Sequence, residues 1–442
     1  MQRIRVRVLQ CLLFATGSLA AISGMQASAA TLCVNQNPKS GCAYTTIGAA
    51  VAAAAAGDTI SVAPGQYAED VHITQPVSLI GAGAQWTVIN AKGLANGIFI
   101  DGINGAATIT PGSNTLVNVT VSGFSVLNAN FEGILALNAS NVTLWANRVK
   151  GNDRALEPGT GLCPGIPDFE TNEGDDCGEG IHLLGTDHST VVNNTVENNA
   201  GGILLSDDTG PTNANLIQEN EVRDNVYDCG ITMASHAPAT LTDSPKPLGV
   251  FDNTVAKNES KGNGTAGSGA GVGMFAPGPG NNLTYGNVVI ANSLTDNGDG
   301  GVAMHTHVPN PNIKLADNVV SGNYIAGNGP DADVGTTGPT GISLLGTAPV
   351  TGTLITLNEI ERESVDIAIN NAAGGVVVAH LNNLIGRKAV GVDNLGSGPV
   401  DATQNWWGCA NGPGGRGCTT VSGANVATTP FLTQPVQSAG TN

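Results

Sequence analysis

The sequence predicts an all-β chain, a right-handed parallel β-helix (solenoid) with a short N-terminal capping helix. Three observations predict it. Asparagines recur in the spacing N-x-[hydrophobic]-x-x-N, short glycine-led strands of alternating apolarity recur between them, and the composition combines 61 Gly with only 12% charged and 4% aromatic residues. A strand of three to five residues buries too little alone, so its copies must stack and share one apolar core. The apolar period of 3.6 residues that a helical solenoid needs is missing.

The elements follow in order. Arg3, Arg5 and Arg7, the apolar run Val8–Leu19 and the small residues Ala27-Ser28-Ala29 read as a signal peptide cleaved near Ala29 or Ala30. That run is shorter than the ~20 residues a membrane span needs. The expected organisation is a signal peptide over 1–30, a β-helix domain over 31–431 and a flexible C-terminal tail over 432–442, in a secreted or periplasmic protein. The alanine-rich segment Thr46–Ala56 is expected to cover the first coil, since an uncovered solenoid end exposes both core and strand edge. Strands are expected at Thr59–Val62, Val71–Ile73, Val77–Ile80 and Val88–Ile89.

The repeats then begin. The asparagine spacing runs from Asn147 to Asn152, Asn194 to Asn199, Asn220 to Asn225, Asn253 to Asn258, Asn287 to Asn297 in two steps, and Asn318 to Asn323. Glycine-led strands start at Gly133, Gly180, Gly202, Gly230, Gly271, Gly301 and Gly341. Stacked, they place Ile181, Ile203, Ile231, Val272, Val302 and Ile342 in one inward column, and Leu183, Leu205, Met233, Met274, Met304 and Leu344 in the next. Asn147, Asn194, Asn220, Asn253 and Asn318 are expected at one corner, because asparagine tolerates left-handed turns and its amide hydrogen-bonds along a stack. Trp406 and Trp407, costly to expose, are expected to cover the last coil. Longer excursions at 153–179, 234–247, 261–270 and 327–340 leave the coils, and such loops are where a solenoid usually keeps its function.

Of the eight cysteines, Cys11 lies in the signal. Short loops in an oxidising compartment favour Cys33–Cys42, Cys163–Cys177 and Cys409–Cys418, leaving Cys229 as a buried thiol. Removal of the signal leaves 14 basic against 35 acidic residues, a net charge of −21. Such a chain is a poor partner for nucleic acid or anionic lipid, and it repels an acidic polysaccharide unless a cation intervenes. Ca²⁺ is the one cofactor the sequence suggests, and a monomer is expected.

Two segments carry a family resemblance. Tyr44-Thr45-Thr46-Ile47-Gly48-Ala49-Ala50-Val51, with Gly57-Asp58-Thr59-Ile60-Ser61-Val62-Ala63-Pro64-Gly65-Gln66-Tyr67 and Val77-Ser78-Leu79-Ile80-Gly81-Ala82-Gly83, resembles the opening of pectin-lyase-like β-helix proteins. Asn405-Trp406-Trp407-Gly408 with Gly412-Pro413 is similar to the closing segment of many bacterial secreted β-helix proteins. The resemblance implies the fold and a polysaccharide partner. It does not fix an activity, because that superfamily holds lyases, esterases, hydrolases, epimerases and phage adhesins.

Two groups of residues carry candidate chemistry. Asp175 and Asp176 resemble the paired aspartates of polygalacturonase-type hydrolases, one a general acid and one assisting a base. The companion segments of that family, Asn-Thr-Asp, Gly-His-Gly and Arg-Ile-Lys, are absent, and a solvated acidic loop explains the pair equally. Register suggests a second group. Asp187, His188, Asp207, Asp208 and His236 follow successive copies of one strand and are the candidate catalytic residues. His182, His305 and His307 would lie beside them and, with Asp175 and Asp176, are the candidate substrate contacts. Carboxylates beside imidazoles suit acid–base chemistry or a metal, although a hydrated turn has the same composition. Arg148, Lys150 and Arg154, the one basic cluster, would be the source of a lyase base, and ordinary surface charge explains it equally. Three functions stay open: a carbohydrate-binding β-helix without catalysis, a polysaccharide lyase or glycoside hydrolase using the Asp/His column, and a structural or adhesive solenoid.

Overall fold

The structure, a computed structural model, describes residues 29–104, 114–157, 160, 162–166, 177–236, 248–278, 280–386 and 389–440. The signal segment up to Ser28, the pair Asp175 and Asp176, and most of the 234–247 excursion therefore lie outside the described residues.

Short strands stack into three long parallel sheets of 14, 11 and 12 strands, with a five-stranded and a two-stranded sheet at a further turn. Each of eleven successive coils contributes one strand to each long sheet, the terminal coils to fewer, and successive coils pair in parallel, as the repeats require. Both inward columns form in the expected register: Ile181 pairs with Ile203, Ile203 with Ile231, Ile231 with Val272, Val272 with Val302 and Val302 with Ile342. The Leu/Met column pairs likewise, and both belong to one core running from Val34 to Cys418. The three expected disulfides are present with Cα separations of 5.1, 5.3 and 5.1 Å, and Cys229 is a buried free thiol.

The asparagines form three ladders instead of one. The first runs Asn147, Asn194, Asn220, Asn258, Asn292, Asn323, Asn358, Asn382, Asn405, each side-chain NH₂ donating to the next Oδ1 at 2.9–3.1 Å. Asn152, Asn199, Asn225, Asn263, Asn297 and Asn328 form the second, which ends on Glu363. Asn253 and Asn318, expected at the first corner, belong to the third with Asn215 and Asn287. The correction has a simple cause: the spacing repeats twice per coil, so a pair of asparagines alone does not say which two corners it spans. Nor do the ladder asparagines take the left-handed conformation. The residue before each does, as at Ala146, Asn193, Glu219, Lys257 and Ala291 (φ 53° to 56°).

The covering helix is Ile47–Ala53, shorter than expected, and it lays Ile47, Ala50 and Val51 on the core. Its first amides, of Ile47 and Gly48, donate at 2.8 Å to the carboxylate of Glu69, a cap supplied from across the first coil. A strand missed in the sequence, Thr31–Val34, pairs ahead of Thr59–Val62 and starts the first sheet. At the far end Trp407 is fully buried and Trp406 partly so. Two further strands, Thr420–Gly423 and Val426–Ala427, continue the stack past them. The described part of the expected tail lies against the solenoid: Val436 N donates to Asn383 Oδ1, and Gly440 N to Leu357 O. No helix among the described residues is long and apolar enough to cross a membrane.

Candidate functional site

Alternation along the 12-stranded sheet turns every second side chain outward. One outward row runs Leu184, Ser206, Ala234, Phe275, His305 and Leu345. Polar side chains on this face are buried or line a cleft instead of lying on a flat surface.

The five residues read as one column do not converge. Asp187 bridges to Ser140 and Asn213, and so lies in register with Asn213 instead of Asp207. The turn after Ser206 is the longer one: Asp187 follows Leu184 by three positions, whereas Asn213 follows Ser206 by seven. His188 is exposed, holds a left-handed φ of 50° at a coil corner and pairs only loosely with Asp187, at 3.5 Å. Asp207 and Asp208, expected to face a groove, are buried. Asp207 accepts from Ser235 Oγ (2.8 Å) and from the backbone N–H of His236 (2.7 Å). Burial, then the charge of Asp208, pushes its carboxyl up to about 7. Asp208 accepts from Ser206 Oγ at 2.6 Å, and His236 Nδ1 lies 4.0 Å from it.

His182 is also buried. Its Nδ1 lies 3.0 Å from Glu132 Oε1 and its Nε2 2.9 Å from Ser206 Oγ, so a buried polar chain links Glu132, His182, Ser206 and Asp208. Glu132, Glu179 and His182 bring three potential metal donors within 4.8 Å of one another.

The open site lies two to three coils further on. A cleft of about 400 Å³ is lined by His236, Phe275, His305 and His307, by Asp228, Asp299, Asp331 and Asp333, and by the Cys229 thiol. It gathers three residues singled out in the sequence, His236, His305 and His307, with carboxylates that were not. The strand Val302–Thr306 delivers His305, and His307 follows on the same side by alternation. Asp331 and Asp333 come from the 327–340 excursion. Asp331 Oδ1 accepts the backbone N–H groups of Asp333 and Val334 (3.0 and 3.1 Å), which fixes the loop, while Asp331 Oδ2 takes His305 Nε2 at 2.8 Å. Asp333 Oδ2 lies 3.3 Å from His307 Nε2 and 3.8 Å from His305 Nδ1, and the two imidazole rings are 5.5 Å apart.

The cleft sorts its own protons. Burial works against the charge on His305, but the hydrogen bond and charge of Asp331, with Asp299 and Asp333, hold it above the usual range. Burial and the charge of His305 push His307 down. Burial raises Asp331, yet the hydrogen bond and charge of His305, with hydrogen bonds from Ser343 and Val334, together outweigh that and leave it a stronger acid than usual. Burial, then the charge of Asp331, pushes Asp299 up to about 7. A signal for the missed carboxylates was present: Asp331-Ala332-Asp333 follows Asn328, a ladder asparagine, at a turn as His-x-His does at a strand end.

Two residues of the basic cluster are accounted for, and the third, Arg154, reaches Asn128 Oδ1 at 3.4 Å. Arg148 and Lys150, joined by Arg223, surround the buried Glu197 carboxylate, with Arg148 Nε at 2.8 Å and Lys150 Nζ at 3.3 Å. Among the described residues no Lys or Arg lines the cleft.

A family model described as "Right handed beta helix region" matches residues 79–274. Among solved structures, the A-module of the mannuronan C-5 epimerase AlgE4 of Azotobacter vinelandii is 14% identical, with a TM-score of 0.53 over 88% of this chain and 94% of that one. The Dettilon tailspike protein is 13% identical, with a TM-score of 0.54 over 86% of this chain and 64% of that one. The tailspike protein of the E. coli bacteriophage HK620 is 12% identical, with a TM-score of 0.50 over 85% and 64%. A search of the curated proteins found no match. At these identities the likeness is one of fold. Stacked parallel sheets, a continuous core, an N-terminal covering helix and the matching family model together make this chain a right-handed parallel β-helix protein.

Proposed function

We propose that this is an exported protein whose cleft binds a neutral polysaccharide and cleaves it by acid–base glycoside hydrolysis. One observation carries the reading: His236, His305, His307, Asp299, Asp331 and Asp333 converge with the ring of Phe275 in a single cleft on the outer face of one sheet. An aromatic ring beside convergent polar groups suits a sugar, which has an apolar face and a hydroxyl rim. Glycoside hydrolysis needs one carboxyl to protonate the leaving oxygen and another to activate water, in contrasting environments. Asp299 is buried and Asp333 largely exposed, and they fit those two roles.

The acidic lining, without a described Lys or Arg, disfavours an acidic polymer. Three disulfides support export. The epimerase is named for a polysaccharide substrate, which agrees in class but not in charge. The test is incubation of the mature protein with neutral and acidic polysaccharides, reading new reducing ends, new unsaturated ends and retention. New reducing ends from a neutral glycan are expected, and Asp299→Asn should abolish them. Unsaturated ends from a uronate polymer would show a lyase instead, and retention without cleavage would leave only a binding protein.

A further inference from the structure

We propose that His305, His307 and Asp333 form a binding site for a divalent transition-metal ion of the Zn²⁺ class in this cleft. One donor atom from each lies within 4.8 Å of the other two. Asp333 Oδ2 is 3.3 Å from His307 Nε2 and 3.8 Å from His305 Nδ1. In a tetrahedral site with metal–ligand bonds of roughly 2.0–2.1 Å, ligand atoms sit about 3.3 Å apart. The two Asp333 spacings lie within about half an ångström of that value, the imidazole donors lie within 4.8 Å of each other, and Asp333 is exposed enough to move.

A second observation concerns Asp331. A metal-bound imidazole commonly donates its other N–H to a carboxylate, which fixes its tautomer and its aim. His305 Nε2 lies 2.8 Å from Asp331 Oδ2, with both side chains almost wholly buried, and this leaves Nδ1 on the side of Asp333. Asp331 is itself held by two backbone amides, so the imidazole is set before any ion arrives. Two nitrogens and one oxygen from the protein, with a further position facing a cavity, are the donor set of an open Zn²⁺ site. Ca²⁺ prefers six to eight oxygens and suits this set poorly. The deeper group of Glu132, Glu179 and His182 differs, because both nitrogens of His182 are already engaged by Glu132 and Ser206.

The inference goes beyond the glycan reading, since metal binding is measured with no glycan present, and with an ion held Asp333 would be a ligand and not the base that activates water. The tag-free mature protein, stripped with chelator, is titrated with ZnCl₂ by calorimetry and with Co²⁺ by visible absorption. One equivalent of each is expected to bind. His307→Gln and Asp333→Asn, at partly exposed side chains, should each weaken Zn²⁺ binding at least ~10-fold while the thermal unfolding curve of the metal-free protein stays in place. Asp331→Asn should weaken it ~10–100-fold at unchanged stoichiometry. His188→Gln, at a distant corner, should leave it unchanged. Absence of saturable Zn²⁺ binding, or undiminished binding by His307→Gln, would overturn the site. Ca²⁺ competing on equal terms with Zn²⁺ would overturn the ion class.

Discussion

At the scale of single residues, the ladder asparagine is the unit that specifies this fold. Asn220 shows why. Its Oδ1 accepts from both the backbone N–H and the side-chain NH₂ of Asn194, and its own NH₂ donates to Val191 O and Asn258 Oδ1. All of these groups are buried, so alanine would orphan several donors and acceptors at once. Asn220→Ala should therefore cost more than the roughly 1–3 kcal/mol of one unsatisfied buried group. Chemical denaturation of the variant measures it, and a loss under about 1 kcal/mol would mean that water replaces the rung. The type and spacing of these residues were legible in the sequence. Their assignment to three ladders was not, because a five-residue step looks the same at each corner. His188 was misplaced for a related reason: a four-residue difference in turn length shifts everything after it.

At the scale of elements, the glycine that opens most strands of the 12-stranded sheet is a matter of space. A Cβ on Gly202 would lie 2.0 Å from Gly230 O and 2.5 Å from a methyl of Val222. On Gly180 or Gly230 it would also lie 2.7 Å from the amide nitrogen of a second-ladder asparagine. Strand, ladder and neighbouring coil thus meet where no side chain fits. Gly202→Ala should destabilise by roughly 1–3 kcal/mol, as overpacking does, and lower the unfolding midpoint. An unaltered midpoint would mean that the coils can separate locally to admit a methyl. The strand pattern was readable because alternation and the Gly-led start are local. The cleft was only half readable: His236, His305 and His307 stood out by type, whereas Asp299, Asp331 and Asp333 owe their place to loop lengths that bring distant residues onto one face.

At the scale of the whole molecule, several buried carboxyls hold protons that the unfolded chain has lost. Burial first, then the charge of Asp208, pushes Asp207 up to about 7, and burial pushes Glu363 up to about 7. Asp366, fully buried, with no partner among the described residues for either oxygen, is raised well above the ordinary range by burial and then by the charge of Glu363. Their ordinary values are 3.8 and 4.5, so the folded state binds more protons across the interval above these. The stability they contribute is complete below the ordinary values and is lost as pH rises through about 7. The unfolding temperature should fall between about pH 5 and about pH 8, and Asp366→Asn should raise it at the alkaline end and flatten the slope. Differential scanning calorimetry at several pH values decides this, and a midpoint that rises with pH would contradict it. Composition gave the acidity of the chain but not this effect, since only the fold says which carboxyls lose water.

The three ladders also give the solenoid an electrical direction. From rung to rung each side-chain NH₂ donates one hydrogen toward the C-terminal coil while its other goes back to a carbonyl of the preceding coil, so the rung-to-rung amide dipoles lie head to tail, as peptide units do along an α-helix. The first rungs are negative poles, and backbone N–H groups meet them: Phe124 N donates to Asn147 Oδ1 and Ala129 N to Asn152 Oδ1. The last rung of the second ladder is a positive pole, and there the sequence replaces asparagine with Glu363, which accepts from both donors of Asn328. A hydrogen-bond acceptor is at home at that end of the column and a lysine would not be, so the same rung is not interchangeable between the two ends of the molecule.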